Sequence, residues 1–295
     1  MRPPNTRPGD TIALVAPAGP VPPDLVEKAL PVLRGWGVEV RVGECVRATS
    51  AGYLSASDED RAAEFTRAWL DPGVTCVLAA RGGYGSQRML DLIDWAALKA
   101  AGPKMFAGSS DVTALHRAVN VHLGLETLFS PMPATTLFDA VAAEHLRLSL
   151  FEPEGVRLIT SPTSSPLVPG TATGTLIGGN LALLTAGLGA PEQGSARESI
   201  VLLEDVTESL YRIDRMLTQL LRSGWLDGVR GIVLGSWKSC GDPEEIRALM
   251  LDRLGPLGVP IASDFGVGHV PASPTIPLGA RATFDADAGT LQLLP

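Results

Sequence analysis

Four times in the first 150 residues, a short apolar run is followed by a stretch whose apolar positions recur at helical spacing. "TIALVAPA" precedes "PDLVEKALPVLRGWG", "VEVRVG" precedes "DEDRAAEFTRAWLD", "VTCVLAA" precedes "SQRMLDLIDWAALKA", and "KMFAG" precedes "DVTALHRAVNVHLG". Repeated strand and helix units of this length predict an α/β fold, with a parallel sheet covered by helices on both faces. Ligands of such sheets bind beyond the carboxyl ends of the strands. Those ends carry residues 17–19, 81–85 and 108–111, so topology alone brings three loops together.

The alternation dissolves in "FEPEGVRLITSPTSSPLVPGTATG", where Pro, Ser, Thr and Gly dominate, and this composition predicts a linker over residues 151–172. The chain from residue 173 onward differs in kind: "TGTLIGGNLALLTAGLG", the strand "SIVLLEDV", the helix "LYRIDRMLTQLLRSG", the strand "GIVLGSW", the helix "PEEIRALMLDRLG", and a closing strand pair. Asp287, Ala288 and Gly289 fit the turn of that final hairpin. The expected organisation is a first α/β domain over 1–150 and a smaller mixed α/β domain over 173–295, without internal repeats.

Composition narrows the functional classes. A 295-residue chain that is 45% hydrophobic can bury a full core, so an enzyme-sized folded protein is expected. With 24 basic against 32 acidic side chains, a net charge of -8 and no basic block, nucleic acid and anionic membranes are poor partners. Apolar runs fall short of the roughly 18 residues that cross a bilayer, and "MRPPNTRPGDTIALVAPAGP" reads as a first strand rather than a signal peptide. A cytoplasmic location is therefore the expectation. Cys45, Cys76 and Cys240 are far apart, lack CxxC spacing and sit beside apolar residues, which predicts reduced core thiols. No HExxH, HxH or Cys/His cluster suggests a metal, and no cofactor motif stands out.

Three segments could carry chemistry. In "FAGSSDVTALHRAV", residues 106–119, two serines stand between a strand and a helix. They are either helix caps or a place where one hydroxyl is a nucleophile beside backbone N–H groups able to hold an oxyanion. In "RGGYGSQR", residues 81–88, the glycines allow a tight turn, a phosphate cradle or an oxyanion donor at Gly83. The loop matches neither GxGxxG nor GxxxxGK[ST], which weakens the phosphate reading. "LLEDVTESLYRIDRML" ends a strand with Glu204 and Asp205, which point to opposite faces, so that one can face a site while the other caps. Arg212 and Arg215 on the next helix fit a surface salt-bridge network. Among four histidines, His269 occupies a loop, whereas His116, His122 and His145 fall in helical patterns. His116, only six residues from Ser110, competes for a base role but projects away from its own helix's N-terminus.

Taken together, "IALVAPAGP", "ARGGYGSQRML", "GSSDVTALH", "LIGGNLALL", "LEDVTESLYRIDRML" and "FGVGHVPASPTIPLGARATFD" resemble, in order and over nearly the whole chain, the LD-carboxypeptidase family of serine peptidases. The resemblance implies a nucleophile at Ser110, an acid at Glu204 and a base at His269, with the amides of Gly83 and Asp111 as oxyanion donors. It further implies a flavodoxin-like or glutamine-amidotransferase-like first domain, a homodimer, no metal, and release of terminal D-alanine from murein tetrapeptides. Ser109 departs from the family pattern, which has an aromatic residue there. Arg81 is a candidate for the substrate carboxylate. The chemistry is coherent by itself, since a serine needs a positioned base and an imidazole needs a carboxylate to fix its tautomer.

Two other outcomes stay open at this level. The microcin-immunity branch of the same family cleaves peptidyl-aminoacyl nucleotides and calls for an aromatic surface under the base, for which Trp225 and Trp237 are the candidates. A catalytically silent relative would bind peptides without turnover.

Overall fold

The structure is a computed structural model that describes residues 1–48 and 52–295. Its first sheet has, in spatial order, Glu39–Val42, Thr11–Val15, Val74–Ala79, Met105–Gly108, Thr127–Phe129 and Ile276–Leu278. The first five strands are parallel, in the sequence order 2-1-3-4-5. That is the flavodoxin-like order, whose ligand crevice lies at the carboxyl ends where the order reverses, between the first and third strands. The sixth strand comes from near the end of the chain and runs antiparallel to Thr127–Phe129.

Alternation along the strands feeds two helix-covered faces. Ala13, Val15, Val77 and Ala79 meet Phe65, Trp69, Met89 and Leu115 on one side. Ile12, Leu14, Cys76 and Leu78 meet Leu30, Leu33, Leu146 and Leu150 on the other. Side-chain caps fix where several covering helices begin: Ser57 accepts from the Asp60 amide at Asp58–Leu70, and Asp139 from the amides of Val141 and Ala142 at Ala140–Phe151. The stretch expected as one helix over "SQRMLDLIDWAALKA" is divided into a 3-10 segment Ser86–Leu92 and a helix Trp95–Ala100. Asp94 causes the break, because its side chain caps the second piece through the Ala97 amide.

The second sheet has eight strands: Leu158–Thr160, Thr290–Leu293, Arg281–Asp285, Thr171–Asn180, Ser199–Val206, Gly231–Lys238, Ile261–Ser263 and Ser165–Val168. Four neighbours in the middle are parallel, and the flanks are antiparallel. The expected hairpin joins Arg281–Asp285 to Thr290–Leu293. The segment expected as a linker is not free of structure, since it contributes both edge strands of this sheet. Pro and Ser there reflect edge positions, where an unpaired N–H is not required.

The two sheets also share a core. Ile200, Leu202, Val233, Phe265 and Phe284 pack with Phe129, Ile276 and Leu278 of the first sheet. The other face of the second sheet is covered by the amphipathic helix Leu210–Arg222, through Ile213, Leu217 and Leu220, and by Pro243–Leu254, through Ile246 and Met250. All three cysteines are free and buried. Burial pushes the thiols of Cys45 and Cys76 up to about 12, with Glu64 adding to the effect at Cys45.

Candidate active site

Met105–Gly108 ends at the two serines, and the backbone there is not helical from the start. Ser109 is extended, and Ser110 sits at φ +60 before a 3-10 turn Ser110–Val112 and a helix Thr113–Ala118. A left-handed non-glycine residue costs on the order of 1–3 kcal/mol and persists only where surroundings enforce it. Neither serine caps a helix with its side chain, so the capping interpretation does not account for them.

The enforcing surroundings come largely from the glycine loop. A Cβ on Gly82 would stand 3.0 Å from Ser110 Cβ, 3.1 Å from its Oγ and 3.3 Å from the Asp111 amide nitrogen, so any side chain there would push Ser110 aside by a few tenths of an ångström. The buried Asp111 carboxylate accepts from the Ser86 amide at 2.8 Å, and the Ser86 hydroxyl donates to the Asp111 carbonyl at 2.6 Å. Burial pushes the Asp111 carboxyl above its ordinary value, while those hydrogen bonds and Arg61 act against the rise. The Gly83 amide donates to no protein acceptor among the described residues.

Arg61, almost fully buried, ties the loops together from beneath, donating from Nη1 to the Pro17 carbonyl and, at 2.8 Å, to that of Gly85. Its other guanidinium nitrogen pairs with Asp58. Nothing in its sequence position, within a charged helical segment, marks this role.

Glu204 and His269, the acid and base that the family resemblance implies, lie side by side in the structure. His269 Nδ1 lies 2.7 Å from Glu204 Oε2, and Glu204 has no exposed surface. The intervening Gly268, at φ +112, is required here: a Cβ would fall 2.5 Å from that same Glu204 oxygen. Burial alone would lower the His269 pKa. The hydrogen bond and charge of Glu204, with the charge of Asp205, outweigh it, and the net displacement is upward. With Nδ1 engaged by the carboxylate, Nε2 is left for chemistry.

Glu204 and Asp205 are joined through Asn180, whose Nδ2 donates to Glu204 Oε1 at 3.3 Å and to Asp205 Oδ1 at 2.9 Å. Asp205 also accepts from the Ala182 amide in the first turn of the helix Leu181–Ala186, so one acid serves the histidine and its neighbour holds the start of that earlier helix. Burial pushes Asp205 up to about 6, and the charge of Glu204 adds to the rise. The Asn180 backbone amide donates to Thr113 Oγ1 on the helix that follows Ser110, which links both halves of the site. Asn180 lies in "LIGGN", where the paired glycines are the only local sign of a close backbone approach.

Ser109, Ser110, His269, Arg81, Gly82 and Gly83 border one cleft of about 450 Å³, whose remaining walls include Pro22, Leu25, Met132 and Leu137. Ser110 and His269 are not hydrogen-bonded to each other among the described residues; such contacts commonly tighten when substrate is bound. Arg81 uses Nη1 to hold the Pro20 carbonyl at 2.6 Å and is half-buried at the cleft edge.

The remaining candidates lie elsewhere. His116 is fully buried, with Nε2 2.9 Å from the Gly108 carbonyl and a pKa lowered to about 4 by burial, which makes it a core group and not a base for Ser110. Trp225 is buried in the second-sheet core and Trp237 packs beside Pro243 and Ile246, so neither faces the cleft. Arg212 pairs at 3.7 Å with Glu208, and Arg215 lies over the Tyr211 ring, both on the surface. Among the described residues, no group of three or more His, Cys, Asp or Glu could hold a metal ion, and no helix is long and apolar enough to cross a membrane.

Comparisons with known proteins point to one family. Residues 12–130 match the family model described as the LD-carboxypeptidase N-terminal domain, and residues 173–284 the one described as the LD-carboxypeptidase C-terminal domain. A Streptomyces coelicolor protein that bears the name carboxypeptidase provisionally is 54% identical over 99% of this chain and 96% of its own length. The crystal structure of a muramoyltetrapeptide carboxypeptidase from Oxalobacter formigenes is 31% identical, with a TM-score of 0.78 over 96% of this chain and 97% of that one. An MccF-like protein from Bacillus anthracis shares the fold at a TM-score of 0.90 and 24% identity, covering 100% and 99% of the two chains.

Proposed function

The chain belongs to the LD-carboxypeptidase family, and from that membership we propose that it is a serine-type LD-carboxypeptidase releasing terminal D-alanine from murein tetrapeptide in cell-wall recycling. The observation that carries the reading is the buried Glu204–His269 contact of 2.7 Å opening onto the cleft that Ser110 borders.

In this mechanism Ser110 Oγ attacks the carbonyl that precedes the terminal residue while His269 Nε2 takes its proton. Glu204 keeps the imidazole in the required tautomer and stabilises its cation. The developing oxyanion is received by the amides of Gly83 and Asp111, on the two loops that Ser86 fastens together. The imidazolium then protonates the departing amine of D-alanine. Water, deprotonated by His269, finally cleaves the ester on Ser110. Arg81 is the one arginine or lysine bordering the cleft among the described residues, and it is our choice for the carboxylate of the departing residue.

The relative named for microcin C7 self-immunity, 26% identical over 95% of this chain, makes aminoacyl-nucleotide cleavage the second reading. The cleft walls favour the first, because no Trp, Tyr or Phe borders the cleft among the described residues. A cytoplasmic homodimer belongs to the same proposal, and light scattering on the purified protein tests the dimer. The substrate test is a comparison of kcat/KM on L-Ala-D-Glu-meso-diaminopimelate-D-Ala and on an aminoacyl sulfamoyl nucleotide. The proposal expects turnover of the tetrapeptide at least 100-fold more efficient, and preference for the nucleotide conjugate overturns it.

A further inference from the structure

The segment bearing His269 leaves the second sheet at Ile261–Ser263 and enters the first at Ile276–Leu278, so its two ends are fixed by different sheets. Between them it forms no strand or helix, and Asp264, Gly266, Gly268 and Ala272 all have positive φ. Backbone bonds tie its start to the strand Gly231–Lys238, from the Phe265 amide to the Leu234 carbonyl at 3.0 Å and from the Ser236 amide to the Val267 carbonyl at 2.8 Å, and beyond them it depends on side chains from elsewhere. On the second-sheet side, the His269 amide donates to Ser236 Oγ at 2.8 Å. Within the loop, the Gly268 amide donates to Ser273 Oγ at 3.0 Å.

On the opposite side the partners come from the first domain. The Ala272 amide donates to Asp139 Oδ2 at 2.7 Å, and the Thr275 amide to His145 Nδ1 at 3.1 Å. Asp139 uses both oxygens, because Oδ1 simultaneously accepts from Val141 and Ala142 as the cap of Ala140–Phe151. A single carboxylate therefore starts a first-domain helix and grips the loop that carries the base of the second. Ala272 sits at φ +54, a conformation a non-glycine residue keeps only under such restraint.

We propose that Asp139 and His145 are positioning residues that clamp the His269 loop from across the domain junction, holding His269 Nε2 aimed at Ser110. The proposal rests on the reading of Ser110 and His269 as nucleophile and base. Neither residue touches substrate in this scheme, so loosening the clamp lowers kcat and leaves KM unchanged. A misplacement near 1 Å in a catalytic group costs on the order of 100-fold.

The test separates capping from clamping. Serine caps a helix about as well as aspartate but is too short to bridge to Ala272, so Asp139→Ser keeps the helix and removes the clamp. Labelling of Ser110 by a fluorophosphonate probe should slow about tenfold or more, with amide exchange in residues 268–276 accelerated and the melting temperature unchanged. His145→Asn, which retains an acceptor oxygen near the Nδ1 position, should label faster than His145→Leu, and this pair decides the matter if Asp139→Ser fails to fold. Wild-type labelling and exchange in Asp139→Ser, or equal labelling of the two His145 variants, would overturn the clamp. If the wild-type protein labels at Ser110 but releases no D-alanine, the substrate proposal fails while the clamp is still judged by labelling and exchange.

Discussion

The turn that presents Ser110 and the loop that presents His269 solve the same problem in opposite ways. The first is held by backbone: a strand end, a left-handed residue and a glycine loop so close that a methyl on Gly82 would press on Ser110. The second lies between two sheets; backbone bonds hold it only as far as Val267, and from His269 onward it is held by side chains distant in the chain: Asp139, His145, Glu204 and Ser236. A nucleophile must be fixed against its oxyanion donors within a few tenths of an ångström, which rigid backbone achieves. A base must take a proton from the serine oxygen and deliver it to the departing nitrogen, and side-chain contacts suit that task.

The strongest way to sharpen this contrast is to remove the attacking hydroxyl and then the carboxylate that orients the base. Ser110→Ala should cost on the order of 10⁶-fold in kcat, since removal of a triad nucleophile leaves only binding and oxyanion stabilisation. Glu204→Gln should cost about 10⁴-fold by upsetting the imidazole tautomer, measured as kcat with KM nearly constant. Gly82→Ala probes the backbone device. Its methyl would press on Ser110 and shift the nucleophile, with an expected loss on the order of 100-fold and an intact fold by circular dichroism.

The pH profile probes the distant device. His269 must be neutral to accept a proton, and its pKa is raised by Glu204 despite the opposing effect of burial. Hence kcat/KM should fall as pH drops through an inflection above 6.5, the ordinary histidine value. In Glu204→Gln the raising contribution disappears while burial persists, so the inflection of the residual activity should move downward. An inflection unmoved by that substitution would contradict the pairing. The smallest expected effect is that of Ser109→Ala, no more than about fivefold, because an uncharged hydrogen bond contributes only about 1 kcal/mol.

The same contrast explains what was legible in the sequence. The turn at Ser110 is built on backbone, so "FAGSSDV" and "RGGYGS" after apolar runs mark a candidate strand-end site in the sequence itself. The parallel sheet is likewise legible in the alternation of strands and helices, whereas its flavodoxin-like character follows only from the family resemblance. Asp139 and Asn180 were not legible, because each resembles an ordinary helix cap and indeed caps a helix. Their second partners, Ala272 in one case and the Glu204 and Asp205 pair in the other, lie 133 and about 25 residues away. The edge strands hidden in residues 151–172 escaped for a related reason: edge positions tolerate Pro, Ser and Thr, and short strands leave little periodicity to detect.

The central claim is tested most directly by following D-alanine release from L-Ala-D-Glu-meso-diaminopimelate-D-Ala with the wild-type protein, Ser110→Ala and Ser109→Ala in parallel. Release by wild type and Ser109→Ala, with none above background from Ser110→Ala, is the predicted result. Release that survives in Ser110→Ala, or no release by a wild-type protein that is correctly folded, would contradict it.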